Sequence, residues 1–291
     1  MSRTTCGTCT ALLTALLLTG CTFNAPMNDS FPLTRREART ALRHMADAPV
    51  ELERPVVIIN GWMDPGLASM DIEPRLKRHV GDDRVISVAY FAAGSFETCR
   101  RRVIDAVERA FPDDDPTGTR PVDVVGYSMG GIVARYAAMS PARRAALLGE
   151  EVDDPRRLRI ARLFTISTPH QGAQLAPWAI WDGLARRITN GSEFLAQLDA
   201  ALAEADYALY PYVRLDDLIV GADNAAPTGR VAWWVPTPFL SFAHTSAHKD
   251  ARILADIVAR LRGDPPFTRH PATPLPGEVD EPPTSMAVEK E

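Results

Sequence analysis

The stretch "VDVVGYSMGGIVARY", Val122–Tyr136, sets an apolar run against a helical pattern and places one serine, Ser128, between glycines at the junction. Val122, Val124 and Val125 read as a buried strand, and "GIVARYAAM" reads as the helix that follows. A chain that turns from strand to helix within one residue needs a strained backbone at the corner. Strand and helix must also come so close that side chains at Gly126 or Gly130 would clash. The serine hydroxyl then projects from the C-terminal edge of the sheet, above a helix N-terminus that favours negative charge. A sharp corner of this kind serves to expose a nucleophile.

Similar apolar runs flank this one at "RPVVIING" (54–61), "RVISVAYF" (84–91) and "RLFTIST" (162–168). Runs apolar on both faces suit parallel strands covered on either side. Helical stretches lie between them; in "ETCRRRVIDAVERAF", Val103, Ile104, Val107 and Phe111 share one face. Strands alternating with helices predict an α/β chain with a mostly parallel sheet flanked by helices. An N-terminal helix is expected over 34–48, on the outside of the domain, and a last helix over 250–261. Between 177 and 212 no strand is apparent, and Trp178, Trp181, Leu184, Ile188, Phe194, Leu195, Leu198 and Leu202 predict two or three amphipathic helices inserted into the sheet order. From Gly263 the chain is proline-rich and aperiodic, which predicts disorder.

The whole chain has 291 residues, 46% hydrophobic, with net charge −5 and scattered basic residues. That length supports one large core, and the charge leaves no footprint for nucleic acid. Residues 1–20 read as a signal: a weakly basic start, then the apolar "ALLTALLLTG", too short to span a bilayer. Cys6 and Cys9 fall within it. Cys21 follows, and only Cys99 remains beyond, so the mature monomer holds no disulfide framework.

Three segments carry a resemblance. "VVIINGW", "GYSMGG" and "ISTPHQGAQLA" are similar to the strand–loop, nucleophile elbow and "STPH-x-G" segments of α/β-hydrolases of the lipase and esterase type, with bacterial triacylglycerol lipases and inositol deacylases nearest in appearance. The resemblance spans about 55–261. It implies an α/β-hydrolase fold with a helical cap, and triad order Ser, then Asp or Glu, then His. The organisation expected is a signal over 1–20, tether and N-terminal helix over 21–53, and a hydrolase domain over 54–262 with its cap at about 173–212. A tail over 263–291 follows.

By the resemblance Ser128 is the nucleophile. The acid is sought after the cap, where Asp216, Asp217 and Asp223 stand; Asp217 opens the "DLIVG" frame and is preferred. The base is sought before the last helix, where His244 is preferred to His248, expected to face solvent. His170 precedes the acid and is expected to be a structural hydrogen-bonder. His44, His79 and His270 fall in segments read as surface. Backbone N–H groups of Trp62 and Met129 are the implied oxyanion donors. Asn60 stands where many relatives carry histidine, which is expected to remove a brace from that loop.

The implied activity is hydrolysis of carboxylic esters through an acyl-enzyme. Acyl transfer or amide hydrolysis by the same triad is an alternative, and a non-catalytic envelope binding protein is another. No catalytic cofactor is expected, because no metal-ligand spacing is present; a structural calcium on loop acids is left open. The apolar groups Trp178, Ile180, Trp181, Leu184 and Trp233, Trp234, Phe239, Phe242 suit an acyl chain or lipid partner, or simple packing of the cap. "LTGC" resembles the lipobox of bacterial lipoproteins, which implies acylation at Cys21. With Thr22 next, it implies anchorage in the cell envelope, at the outer membrane facing the periplasm.

Overall fold

A computed structural model describes residues 26–81, 83–174 and 182–277. The signal, Cys21, the tryptophans at 178 and 181, Ile180 and the tail beyond 277 lie outside the described residues. An N-terminal helix α1 (Arg35–Asp47) opens on a capping box in which Thr34 and Glu37 satisfy each other's backbone N–H. Then come β1 (Val56–Ile59), α2 (Leu67–Val80), β2 (Val85–Val88), α3 (Phe96–Ala110), β3 (Val122–Tyr127), α4 (Met129–Ala138), α5 (Pro141–Leu148) and β4 (Ile160–Ile166). After β4 follow α6 (Gly183–Arg187), α7 (Glu193–Leu202), β5 (Ala208–Arg214), β6 (Trp233–Val235), α8 (Ala243–Ser246) and α9 (Ala251–Arg262).

The six strands form one sheet in the order β2-β1-β3-β4-β5-β6, with every pair parallel. Alternation along β1 explains the layers. Val56 and Ile58 face a core shared with α1, α2 and α9, through Ala38, Met45, Ile72, Leu76, Ile253 and Ile257. Val57 and Ile59 face the opposite core, where α3, α4 and α7 contribute Val103, Ile104, Ile132, Val133, Phe194 and Leu198. A sheet covered on both sides needs apolar residues at every position, hence the unbroken runs in the sequence. Because all strands point the same way, their C-terminal ends share one edge, and the loops leaving that edge converge.

Four expectations are corrected. The cap does not extend to 212, since 208–214 form β5 between β4 and β6. Pro211 lies in that strand opposite Thr165, at a point where β6 has not yet begun, so its missing N–H breaks no ladder on that side. The tail is not disordered through 277, for its first part packs on the domain. The Trp233 and Trp234 indoles donate to the carbonyls of Arg269 and Thr273, and the backbone N–H of Arg269 and Thr273 reach Ser30. Trp233 and Trp234 are therefore buried core residues of β6, not part of an exposed apolar patch. The tether expected ahead of the N-terminal helix is likewise pinned at its end, where the buried Asn28 donates to the carbonyl of Trp234.

Asp256 of α9 joins the tail to the sheet. Its carboxylate accepts from the Tyr212 hydroxyl at 2.6 Å, Arg260 Nε at 2.9 Å, and the Thr268 backbone N–H and hydroxyl, each at 2.9 Å. Removing the acceptor strands a buried phenol and leaves a guanidinium without its partner. Asp256→Ala is expected to cost about 3 kcal/mol or more of unfolding free energy, measured by urea denaturation. A loss below about 1 kcal/mol would show that the tail is not held by this residue.

Candidate active site

The corner at Ser128 has the geometry its glycines require. Ser128 sits at φ 52°, ψ −129°, a region that a residue with a side chain rarely adopts. Its backbone N–H donates to Ile166 at 2.8 Å, and its carbonyl accepts from the Thr168 hydroxyl at 2.8 Å. A Cβ on Gly126 would stand 2.6 Å from Gly131 Cα, and one on Gly130 only 2.1 Å from the Ile59 carbonyl oxygen. Gly131 is equally constrained: a Cβ there would lie 2.4 Å from Thr168 Oγ1. Thus α4 starts pressed against both β1 and the loop after β4.

Ser128 Oγ lies 3.0 Å from His244 Nε2. On the other side of the ring, His244 Nδ1 lies 3.1 and 2.9 Å from the two oxygens of Asp217. Asp217 follows β5, and Asp216 before it, at φ 61°, makes the turn that carries Asp217 inward while Asp216 itself stays exposed. Asp217 Oδ1 also accepts from the backbone N–H of Ile219 and Val220, each at 3.1 Å. Burial alone would raise its carboxyl pKa; the hydrogen bond and charge of His244 and the Val220 N–H outweigh it and hold the group below its ordinary value. The carboxylate is therefore ionised, and with Nδ1–H donated to it, Nε2 is left free to accept from the Ser128 hydroxyl. His244 is carried on the short α8, and its carbonyl accepts from the Tyr127 hydroxyl at 3.1 Å. The residue before Ser128 thereby steadies the imidazole's backbone.

The other candidates lie elsewhere. Asp223, itself exposed, opens a 3-10 turn whose other residues, Asn224 and Ala225, are buried, and among the described residues no hydrogen bond joins it to a histidine. His248 is buried, contrary to the expectation that it faces solvent. Its Nε2 lies 3.4 Å from Asp71, and its ring packs edge-on to Tyr127. His79 is also buried, on the inner face of α2, because helical phase overrides its charged neighbours Lys77 and Arg78. His170 is fully buried between Thr165 Oγ1 at 3.0 Å and Arg135 Nη1 at 2.9 Å. Arg135 can only donate, so His170 Nδ1 accepts, and Nε2 carries the proton towards Thr165. Arg135 continues to Asp199 of α7 at 2.6 Å, so this chain ties α4 to the insertion.

Gly61 lies against Ser128, since a Cβ built on it would stand 3.1 Å from Ser128 Cβ. The loop that leads into Trp62 thus passes beside Ser128. Met129, the first residue of α4, has an N–H for which the helix offers no acceptor. Asn60 corrects the expectation of a missing brace. Its side chain donates to Val88 O at 3.1 Å and Ser69 Oγ at 3.2 Å and accepts from Ser69 N–H at 3.0 Å. The Trp62 indole donates to Asp182 at 2.9 Å, and Asp182 caps α6, so the insertion reaches this loop directly. Nothing in the spacing of the sequence pointed to Thr168, Tyr127 or Asp182. Cys99 is buried and its thiol pKa is pushed up to about 12 by burial, which leaves it unreactive. Among the described residues no group of three or more His, Cys, Asp or Glu could hold a metal ion.

Comparison with known proteins agrees with this architecture. A family profile described as "Putative serine esterase (DUF676)" matches residues 87–182, a segment that includes Ser128 but ends before Asp217 and His244. Among solved structures, the Bacillus licheniformis lipase BlEst2 in its propeptide form is similar at TM-score 0.51 and 17% identity, over 76% of this chain and 54% of that one. The chain thus spans about half the length of that lipase. Phospholipase PlaB from Legionella pneumophila aligns at TM-score 0.46 and 12% identity, over 68% of this chain and 55% of that chain. The metagenomic carboxyl esterase MGS0156 aligns at 0.43 and 15%, over 72% and 76%. No curated protein matches the chain by sequence. The chain has the α/β-hydrolase fold.

Burial makes the protein acid-sensitive. His170 is held well below its ordinary pKa by burial and then by the Arg135 and Arg230 charges, and burial lowers His248 and His79 as well. Below about pH 6.5 the unfolded chain therefore binds protons that the folded one refuses, and stability falls with acidification. His170→Gln removes one such group and should make the fall in unfolding free energy between pH 7 and 5 shallower, by up to about 1.4 kcal/mol per pH unit. Urea unfolding at pH 7, 6 and 5 tests this; an unchanged slope would mean that His170 accepts its proton in place.

Proposed function

We propose that the protein hydrolyses carboxylic esters, as a lipase or carboxylesterase, through an acyl-enzyme on Ser128. The observation that carries this reading is the relay Ser128 Oγ–His244 Nε2–Asp217, with contacts of 3.0 and 2.9 Å, at a strained corner. His244 Nε2 takes the hydroxyl proton as Ser128 Oγ attacks the acyl carbonyl carbon. Negative charge gathers on the carbonyl oxygen, where the Met129 and Trp62 backbone N–H groups would meet it. The intermediate collapses with loss of the alkoxide, which takes the proton from His244. Water then repeats the attack, giving its proton to His244 and releasing the carboxylic acid and Ser128. Asp217 keeps the imidazole in the tautomer that accepts at Nε2 and stabilises the imidazolium while it lasts.

The family profile around Ser128 supports an ester substrate over an amide one. The reading extends to location: acylation at Cys21 would hold the enzyme at the outer membrane, facing the periplasm. Palmitate incorporation and membrane fractionation that are unchanged in Cys21→Ser would defeat that part alone.

Turnover of p-nitrophenyl esters of graded chain length tests the chemistry. Ser128→Ala should lower kcat by about 10^5-fold or more and abolish labelling by a fluorophosphonate. Asp217→Asn should lower kcat about 10^4-fold and leave KM little changed, because the substrate pocket is intact while the histidine tautomer is wrong. Equal turnover by the wild type and Ser128→Ala would sink the proposal.

A further inference from the structure

The large apolar side chains left exposed are not scattered. Among the described residues, Met63, Leu67 and Met70 follow β1, Phe91 follows β2, Leu218 follows β5, and Phe239, Leu240 and Phe242 follow β6. All leave the C-terminal edge of the sheet, the edge that carries Ser128. Only Met27 and Val231 lie elsewhere. The tip is Phe239–Phe242, where Phe239 is 93%, Leu240 90% and Phe242 83% exposed.

This tip is held out, not left loose. The Ser241 backbone N–H donates to Pro238 O at 3.1 Å, and the Ser241 hydroxyl meets Arg214 Nη1 at 3.1 Å and Ser246 Oγ at 2.9 Å. Thr237 Oγ1 bonds the carbonyl of Leu215. Leu240 sits at φ 58°, where a leucine is strained and a glycine or asparagine would not be. Exposed leucine in a strained turn has no benefit for a surface that meets only water.

Charge separates the two edges in the same sense. The connections "AYFAAGS" (89–95), "STPHQGAQ" (167–174) and "PTPFLSF" (236–242) at the C-terminal edge contain no Asp, Glu, Lys or Arg. At the opposite edge the strands are entered through Glu51, Glu53 and Arg54, through Asp83 and Arg84, through Asp113–Asp115 and Arg120, and through Arg156, Arg157 and Arg159. The connection after β5 does carry exposed acids, Asp216 and Asp223, but the tip Phe239–Phe242 itself offers a charge-reading partner nothing to pair with. An acyl-chain phase asks for no such pairing.

The start of the described chain is compatible with the same orientation. Asn28 is fixed to Trp234 of β6, the strand that leads into the tip. Six residues lie between Cys21 and Asn28, so the seven steps reach at most about 24 Å. A lipid on Cys21 could therefore enter the surface beside the tip.

We propose that the C-terminal edge of the sheet docks on a phospholipid bilayer, with Phe239, Leu240 and Phe242 inserted among the acyl chains and the opening to Ser128 turned to the lipid surface. The surface recognised is apolar, so binding does not require anionic lipid. The proposal stands apart from the chemistry at Ser128 and would survive the failure of the ester-hydrolase reading.

Hydrogen exchange of the full chain, with and without vesicles of pure phosphatidylcholine, tests it. Exchange over 237–242 should slow at least threefold on adding vesicles, while exchange over 112–120, at the charged edge, stays the same. A lipid on Cys21 alone would bring the protein to vesicles without shielding the tip. In a full-length Cys21→Ser background, Phe239→Ser with Leu240→Asn should lower the vesicle-bound fraction at least tenfold, whereas Val231→Ser should not. Asparagine suits the backbone at 240, so loss of folding is not expected, and unchanged thermal unfolding verifies that. The proposal fails if the tip exchanges equally with and without vesicles, if the charged edge slows as much, or if the double variant binds like its parent. It fails equally if exchange at the tip slows with protein concentration alone, since a second copy would then be the occupant.

Discussion

The structure turns on how closely α4 approaches the sheet. Gly126, Gly130 and Gly131 allow backbone to meet backbone and Thr168, so the helix begins directly beneath Ser128. The left-handed φ at Ser128 is what this approach demands of the residue between strand and helix. A side chain at any of the three glycines would push α4 away and relax the corner. The hydroxyl would then leave the position from which His244 can reach it. The strain at one residue is maintained by the packing of two layers around it.

The rest of the site is assembled from distant chain, and each part arrives on its own strand end. The parallel sheet makes that possible, since every strand delivers its C-terminal loop to one edge. Asp217 arrives after β5, and His244 after β6, on a short helix bonded to Tyr127. Burial of Asp217 would cost its charge, were it not hydrogen-bonded to His244 and two backbone N–H groups. Asp217 and His244 therefore hold each other in position.

The strands and the corner were legible because their signals are local: runs of Val and Ile, and glycines at fixed offsets from Ser128. Asp217 and His244 were preferred through chain order and resemblance over neighbours that stand one and four residues away, and these two are the ones that the structure brings to Ser128. What was not legible depends on tertiary phase or on a local rule that context overrides. Pro211 disguised β5, because proline argues against a strand unless one side of it is unpaired at that point. Prolines also disguised the tail, which packs through the carbonyls of Arg269 and Thr273 and through the N–H groups of Thr268, Arg269 and Thr273, residues that stand between the prolines. His79 and His248 looked like surface residues because their charged neighbours are. Asn60 looked like a loss by comparison with relatives, whereas its amide, able both to donate and to accept, ties the loop to β2 and α2.

The loop that carries Trp62 is gripped from opposite directions, and this constrains what the insertion after β4 can do. On the sheet side, Asn60 bonds Val88 and Ser69, and Asp64 accepts from the first N–H groups of α2, at 2.9 Å from Gly66 and 3.1 Å from Ala68. On the other side the Trp62 indole is fixed to Asp182, the cap residue of α6. The insertion is itself tied to the rear of the corner, through Asp199, Arg135 and His170. A shift of α6 or α7 would therefore be felt at the Trp62 backbone and at α4 together. The position of the insertion and the setting of the Trp62 loop and of α4 beside Ser128 are consequently one variable, not two.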